Sequence, residues 1–374
     1  MNTLFQKRRA DLARWMAANN VQAVVFEDTE GRRSPAVRYY TNHPEDAILV
    51  INNKAETVLC PWDENIAKQK AVVETIVPYT KYDRTAIKAV GALLKLLKVP
   101  EKSRVEIPSV TPYPVFLRYV EAFPQYDILC KEEYTHHYAV EQRQVKDEYE
   151  ISCARKAAEI TNHIIDTIEA QIKKGIIKTE TDAALLIEKE CRAAGCEGTS
   201  FATLAAGPAR SFGIHCFPNY TDAQFPADGL SILDFGVNYS GYASDVTLTF
   251  AKGDLTEEQE KQIKLVEKAY EAALHLYEKG VPLRTPALKV DEIFAKAKRK
   301  MPHSLGHGMG LEIHEAPWIR AKTEPDKTFQ TGMIASLEPG LYDPAIGGCR
   351  LENDILITDQ GPEVLTRSRI IRIP

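Results

Sequence analysis

The chain reads as an α+β protein of two domains: a smaller α/β domain, then a larger pseudo-twofold domain that uses one structural pattern twice. Three observations predict this. At 374 residues the chain is longer than one ordinary core supports. Its first part alternates helix and strand signals until the polar stretch KEEYTHHYAVEQRQVKDE (131–148) interrupts them. Beyond that stretch, a run of helix, helix and glycine-punctuated strands occurs twice in succession. The expected domains are residues 1–138 and 139–374.

Residues 3–19 open the chain as an amphipathic helix, and QAVVF (22–26) follows as a short buried strand. AILVI (47–51) and ETVLC (56–60) flank Asn52-Asn53-Lys54-Ala55, a hairpin connection. TAIKAVGALLKLLKV (85–99) is helical and stops at Pro100.

In the second part, residues 147–175 place Ile151, Ala154, Ala158, Ile165, Ile168 and Ile172 at helical spacing, with Gly175 just past the end. A shorter helix, 181–195, ends at Gly195, and strands follow at 229–237 and 241–250. The order then repeats. Residues 256–280 open with a Thr256…Gln259 capping box and close at Gly280. Thr285 caps the next helix, with Pro286 at its first position. Strands return at 333–341 and 349–358. Two curved sheets flanked by helices are the simplest architecture for this repeat.

Composition narrows the function classes. Hydrophobic content of 44% and charged content of 26% are those of a soluble globular protein. A net charge of −5, from 47 basic and 52 acidic residues, gives no electrostatic reason to expect nucleic acid or an anionic membrane as partner. No apolar run reaches transmembrane length, and the charged N-terminal segment has no signal-peptide core. Seven scattered cysteines without a CxxC pair read as reduced thiols in the cytoplasm. Cys216 and Cys349 adjoin candidate site residues but carry no assigned role.

Five residues stand out: Asp234, Asp245, His307, Glu338 and Glu352, in LDFGV, YASDVTLTF, HSLGHGMG, SLEPG and RLEND. Four carboxylates and one imidazole suit two divalent ions with a water between them. Pairing Asp234 with Asp245 across a hairpin centres its turn on Tyr239-Ser240 and sets the two carboxylates face to face. Like charges so placed need a cation between them. Glu338 and Glu352 repeat the arrangement around residues 344–348, and His307 adds nitrogen from a glycine-flanked segment. This donor set favours Mn, Co, Fe or Zn over Ca. Taken singly, each residue is commonplace: a strand Asp is usually solvated, a lone His is usually satisfied, and Glu-Pro-Gly is a turn. Their repetition in both halves is what distinguishes them.

These motifs resemble those of the pita-bread metallopeptidases, the group of Xaa-Pro dipeptidases (prolidases), aminopeptidase P and methionine aminopeptidase. The resemblance covers residues 143–367. The N-terminal domain, through its strand and Tyr39-Tyr40-Thr41-Asn42, resembles that of the prolidase and creatinase branch. It implies a pita-bread catalytic domain behind a creatinase/prolidase-like domain. It implies hydrolysis of Xaa-Pro bonds, in dipeptides or at peptide N-termini, by a metal-bridged hydroxide. It implies that Asp234 binds one metal with both oxygens, that Asp245 and Glu352 bridge two metals, and that His307 and Glu338 bind the second. Glu338 is further implied to shuttle the water's proton. His215, His303 and His314 are implied to contact substrate or stabilise the oxyanion, and Arg350 to bind or orient substrate. A proline-containing peptide as substrate and a homodimer follow from the same resemblance.

The chain departs from the pattern twice. Leu248 stands where an arginine is usual after the second aspartate. The segment before His215 reads SFGIH, without the usual Pro-His pair and one residue longer. The fold also hosts creatinase, which lacks the metal carboxylates present here. It hosts a metal-dependent lyase, other small-molecule enzymes and non-catalytic binding proteins as well, and these are the alternative readings.

Overall fold

The structure is a computed structural model that describes residues 2–374. The chain divides into two compact units, Met1–Arg143 and Gln144–Pro374. Among the described residues, no helix is long and apolar enough to cross a membrane. The seven cysteines are free thiols.

The first unit carries a six-stranded sheet in the order Thr75–Ile76, Thr57–Pro61, Ala47–Asn52, Ala23–Asp28, Arg104–Glu106, Asp127–Leu129. The expected hairpin is part of it, Ala47–Asn52 pairing antiparallel with Thr57–Pro61. Asn52 shapes the turn: its Oδ1 accepts the backbone N–H of Lys54 and of Glu56, and Ala55 takes a φ of 65°. Helix Ala86–Leu96 buries Ala89, Val90, Leu93 and Leu94 in the core of this unit. The polar stretch near the expected boundary forms the helix Thr135–Gln144. Glu106 accepts the N–H groups of Thr135 and His136 at the start of that helix, which ties it to the first unit's sheet.

The second unit realises the doubled pattern. Helix Glu148–Lys173 begins at an Asp147…Glu150 capping box, buries Ile160, Ile164, Ile165, Ile168 and Ile172, and ends before Gly175 at φ 67°. Glu180–Ala193 follows with its own Thr179 cap. The isoleucines pack with Phe235, Val246, Leu248 and Phe250. Those residues belong to a four-stranded sheet ordered Ile370–Ile373, Val246–Lys252, Gly229–Phe235, Leu204–Ala206, or flank it.

The second half repeats this. Helices Glu257–Leu274 and Thr285–Lys296 pack Ile263, Val266, Val290 and Phe294 with Ala335, Leu337, Ile355 and Ile357. The sheet here is ordered Glu315–Ile319, Gly306–Gly308, Ile334–Leu337, Asn353–Thr358, Gly361–Val364. The helix expected to reach Gly280 stops at Leu274. Tyr277 turns inward there, fully buried, and donates its hydroxyl to the Ser336 carbonyl at 2.8 Å.

Each half centres on a long hairpin broken in its middle. Gly229–Phe235 and Val237–Tyr239 return through Tyr242–Ala243 and Val246–Lys252. Ile334–Leu337 and Gly340–Asp343 return through Gly347–Arg350 and Asn353–Thr358. The hairpins meet at a bridge between Thr247 and Glu352. Three of the four carboxylates singled out in the sequence sit at the breaks, where residues leave the ladder, and Asp234 sits two residues before its break at Gly236.

Candidate metal centre

In the second hairpin, Leu337 pairs with Asn353 and the Leu351 N–H reaches the Pro339 carbonyl at 3.3 Å. The pair between these two is Glu338 and Glu352, as expected. The first hairpin corrects the expectation. Asp234 pairs with Thr247, not with Asp245, and the turn is Ser240-Gly241 rather than Tyr239-Ser240. Both turn residues have positive φ, 52° and 86°. That is the form whose twist suits a tight hairpin, and glycine supplies one of the two positions without strain. The aspartates are therefore diagonal neighbours.

His307 lies in the strand Gly306–Gly308, where close approach demands glycine on both sides. A Cβ at Gly306 would stand 2.0 Å from the Ser336 carbonyl oxygen, and one at Gly308 2.3 Å from that of Ala316. The His307 Nδ1 lies 3.1 Å from the Gly308 carbonyl, which assigns the proton to Nδ1 and leaves Nε2 as a ligand atom. Nε2 is 3.6 Å from Asp245 Oδ2 and 3.5 Å from Glu338 Oε1. Asp245, His307 and Glu352 offer donor atoms all within 4.8 Å of one another, a spacing able to hold a cation.

Asp234 and Glu338 line the same cavity, about 470 Å³ in volume, with His215, His303, His314 and Arg350. The structure thus brings together every residue that the sequence marked for the site. Asp234 accepts the Arg350 Nη2–H at 2.5 Å through Oδ2, and its buried Oδ1 has no partner. A buried carboxylate oxygen without a donor fits a cation ligand, as does the crowding of four carboxylates.

Crowding also shifts their titration. Burial raises Asp245 and Glu338 well above the ordinary carboxylate range, and the charge on Glu352 adds to both. Glu352 is pushed up to about 7, by burial and then by Asp234. The Arg350 charge opposes the effect of burial on Asp234, which is nevertheless raised. The imidazoles move the other way. Burial lowers His303 and His307 to about 4 and also lowers His314, so each is neutral near pH 7 and able to accept.

The surrounding contacts orient this set. Thr247 Oγ1 donates to Glu352 at 2.6 Å, and the Asp245 N–H lies 3.2 Å from each carboxylate oxygen of Asp354. Ser336 Oγ accepts the His307 N–H at 3.1 Å and donates to Glu338 at 3.3 Å. His303 Nε2 lies 2.9 Å from the Tyr342 hydroxyl, and its Nδ1 is 3.7 Å from Glu338. The His314 ring meets that of His307 edge-on at 4.3 Å, and His215 is exposed at the cavity wall.

Arg350 is buried. Beyond Asp234, its guanidinium donates to Thr247 at 2.7 Å, to Tyr342 at 2.7 Å and to the Ile214 carbonyl at 3.0 Å. The segment before His215 is anchored behind by Glu180, which accepts the Gly207 N–H at 2.8 Å and pairs with Arg210.

Leu248 lies away from the site. It is fully buried in the apolar cluster, while its neighbours Thr247 and Thr249 face the site side. Cys216 and Cys349 are buried and do not line the cavity. Sequence reading missed Thr247, Ser336, Tyr342 and Asp354. Strand alternation carried the signal for three of them: each stands two residues from a candidate ligand, on the same face.

Known proteins resemble this chain in sequence and in fold. YkvY of Bacillus subtilis, whose name assigns it provisionally to the dipeptidases, is 33% identical over 227 residues, 60% of this chain and 61% of that protein. An uncharacterised peptidase of Staphylococcus aureus is 32% identical over 226 residues, 60% and 63% of the two chains. The matches thus span about three fifths of these relatives' length. Among solved structures, an X-Pro aminopeptidase of Thermotoga maritima superposes with a TM-score of 0.82 at 24% identity, covering 98% of this chain and 99% of the other. An Xaa-Pro dipeptidase of Bacillus anthracis gives 0.82 at 24%, covering 98% and 100%. A prolidase of Pyrococcus horikoshii gives 0.81 at 25%, covering 97% and 99%. The fold is therefore the expected pita-bread fold. Residues 152–359, which contain all five candidate ligands, match metallopeptidase family M24, and the chain belongs to that family.

Proposed function

We propose that this protein hydrolyses Xaa-Pro bonds, in dipeptides or at peptide N-termini, with two divalent cations in its cavity. The observation that carries the reading is the convergence of Asp245, His307 and Glu352 within 4.8 Å, with Asp234 and Glu338 on the same wall. Names of the similar structures, an X-Pro aminopeptidase, an Xaa-Pro dipeptidase and a prolidase, support the substrate class. Asp245 and Glu352 would be shared between the ions, Asp234 would serve one, and His307 and Glu338 the other. The mixed oxygen and imidazole donors suit Mn, Co, Fe or Zn. Bound cations would supply a nucleophilic hydroxide near neutral pH and polarise the scissile carbonyl.

The chain's own residues would do the rest. Glu338 takes a proton from the attacking water and delivers it to the departing proline nitrogen. His303, His314 and His215 hold the substrate and stabilise the oxygen on which charge develops. We assign Arg350 to orienting Asp234 and the His215 segment, in place of the direct substrate contact that the resemblance implies, because protein acceptors occupy its guanidinium. The reading includes a homodimer, which sedimentation equilibrium tests.

Turnover of Xaa-Pro dipeptides and Xaa-Pro-Yaa peptides, with Mn or Co added, tests the activity. Metal analysis accompanies it, with about two ions per chain expected. Protein shown to hold metal that cleaves none of these compounds would sink the proposal.

A further inference from the structure

We propose that Trp318 is a specificity-determining residue, and that the cavity takes peptides uncharged just past the scissile bond in preference to free dipeptides. The inference rests on the Xaa-Pro reading above and decides between its two substrate forms.

A dipeptide carries its carboxylate one residue past the scissile carbon, a step of about 3.8 Å along the chain. That carboxylate therefore lies in the same cavity as the candidate metal ligands. An anion withdrawn from water needs a cation or several aligned donors. Arg350 is the one arginine or lysine lining this cavity among the described residues, and the proposed metal ions are taken up by the candidate ligands and the scissile group. Its side chain is 3% exposed, and it donates to Asp234, Thr247, Tyr342 and Ile214. A substrate carboxylate pairing bidentately with Arg350 would have to displace at least one of these acceptors, among which Asp234 is a candidate metal ligand.

Apart from the candidate site residues, the wall is apolar through Phe201, Leu204, Ile214 and Trp318, with Asn219 and Ser304 as its other polar groups. Trp318 is the largest of these and, like Leu204 opposite Asp234, stands directly across from a candidate metal ligand. It pairs with His307 across adjacent strands, with ring centroids 6.5 Å apart. Its carbonyl accepts the Thr323 hydroxyl at 2.7 Å, and the Arg320 guanidinium carbon lies 5.8 Å from the indole centroid. The first contact holds the Trp318 backbone and the second packs a guanidinium against the ring. It is 39% exposed, which leaves surface open to a ligand. An indole face packs on a saturated ring or a peptide plane and offers an anion no partner.

The loop that carries His215 points the same way. It displays Phe212, Phe217 and Tyr220, with Phe217 90% exposed. None of the three lines the cavity, so only a peptide longer than a dipeptide held there could cover this apolar surface.

The test uses metal-loaded full-length protein and a matched set: an Xaa-Pro dipeptide, its C-terminal amide and a longer Xaa-Pro peptide. The amide and the longer peptide are expected to exceed the dipeptide in kcat/KM by on the order of tenfold. Trp318→Arg, with folding and metal content verified, is expected to move the ratio toward the dipeptide, and Trp318→Phe to preserve the wild-type order. Wild-type preference for the dipeptide overturns the inference, as does a Trp318→Arg ratio that does not move. Selective loss of dipeptide turnover in Arg320→Met would also overturn it, since it would reveal a carboxylate anchor. If no Xaa-Pro compound is cleaved, the functional reading fails by itself. The inference is then read from tryptophan fluorescence titrations with prolinamide and with proline: tighter prolinamide binding supports it, and tighter proline binding overturns it.

Discussion

Glu338 differs from the other candidate ligands in its exposure. Its side chain is 16% exposed, against 3–8% for Asp234, Asp245, His307 and Glu352. A carboxyl reachable from the cavity and flanked by the neutral imidazoles of His303 and His307 is placed to exchange a proton. Glu338→Gln keeps the shape and removes the basicity. Its kcat on an Xaa-Pro peptide should fall on the order of 10²–10⁴-fold, with metal content measured alongside to separate lost ligation from lost proton transfer. Leu248 makes the opposite case. By family pattern it stood out as a departure beside the site, yet its side chain lies in the core. Leu248→Ala should cost about 2–5 kcal/mol of stability in urea titration while leaving metal stoichiometry unchanged. Pattern alone could not assign Leu248 to a face, but strand alternation could. Thr247 and Thr249 serve the site, so the residue between them points away.

At the scale of elements, the two broken hairpins present their carboxylates through different registers. The glutamate pair was readable from spacing because its register runs on through the break at Pro339. The aspartate pair was misjudged because spacing says nothing of turn conformation. A turn on Tyr239-Ser240 needs Tyr239 at positive φ, which costs a non-glycine residue about 1–2 kcal/mol, whereas Ser240-Gly241 asks this of only one such residue. The strand Gly306–Gly308 shows how tightly an element can specify a ligand's position. An added methyl at Gly306 would meet the Ser336 backbone oxygen, and Ser336 also holds the His307 N–H and Glu338. Gly306→Ala is therefore expected to loosen two ligands at once. Calorimetric titration with Mn should show affinity weaker by at least about tenfold, from a shift of about 1 Å or less in His307. Unchanged affinity would mean that the strand tolerates the displacement without moving its histidine.

At the scale of the whole chain, the doubled helix and strand order was plain in the sequence, because apolar periodicity and capping residues act locally. What joins the halves was not. The Thr247–Glu352 bridge and the Arg350 contacts to Asp234 and Ile214 link residues 105, 116 and 136 positions apart. No local signal encodes such distances. This seam has a thermodynamic consequence, because it gathers four carboxylates in one buried place. With Glu352 at about 7, and Asp245 and Glu338 raised well above their ordinary range, the folded, metal-stripped protein binds more protons than the unfolded chain. Its stability must then fall as pH rises above the ordinary carboxylate values near 4. His303 and His307, lowered to about 4, act in the opposite sense, since the unfolded chain holds their protons up to about pH 6.5. Above that pH the histidine contribution is complete and the carboxylate effect stands alone. Bound cations would compensate the same charges. The difference in Tm between metal-loaded and chelator-stripped protein should therefore widen from about pH 6.5 to 8, as the stripped form alone loses stability. A constant difference across that window would mean that the four carboxylates do not share a cation site.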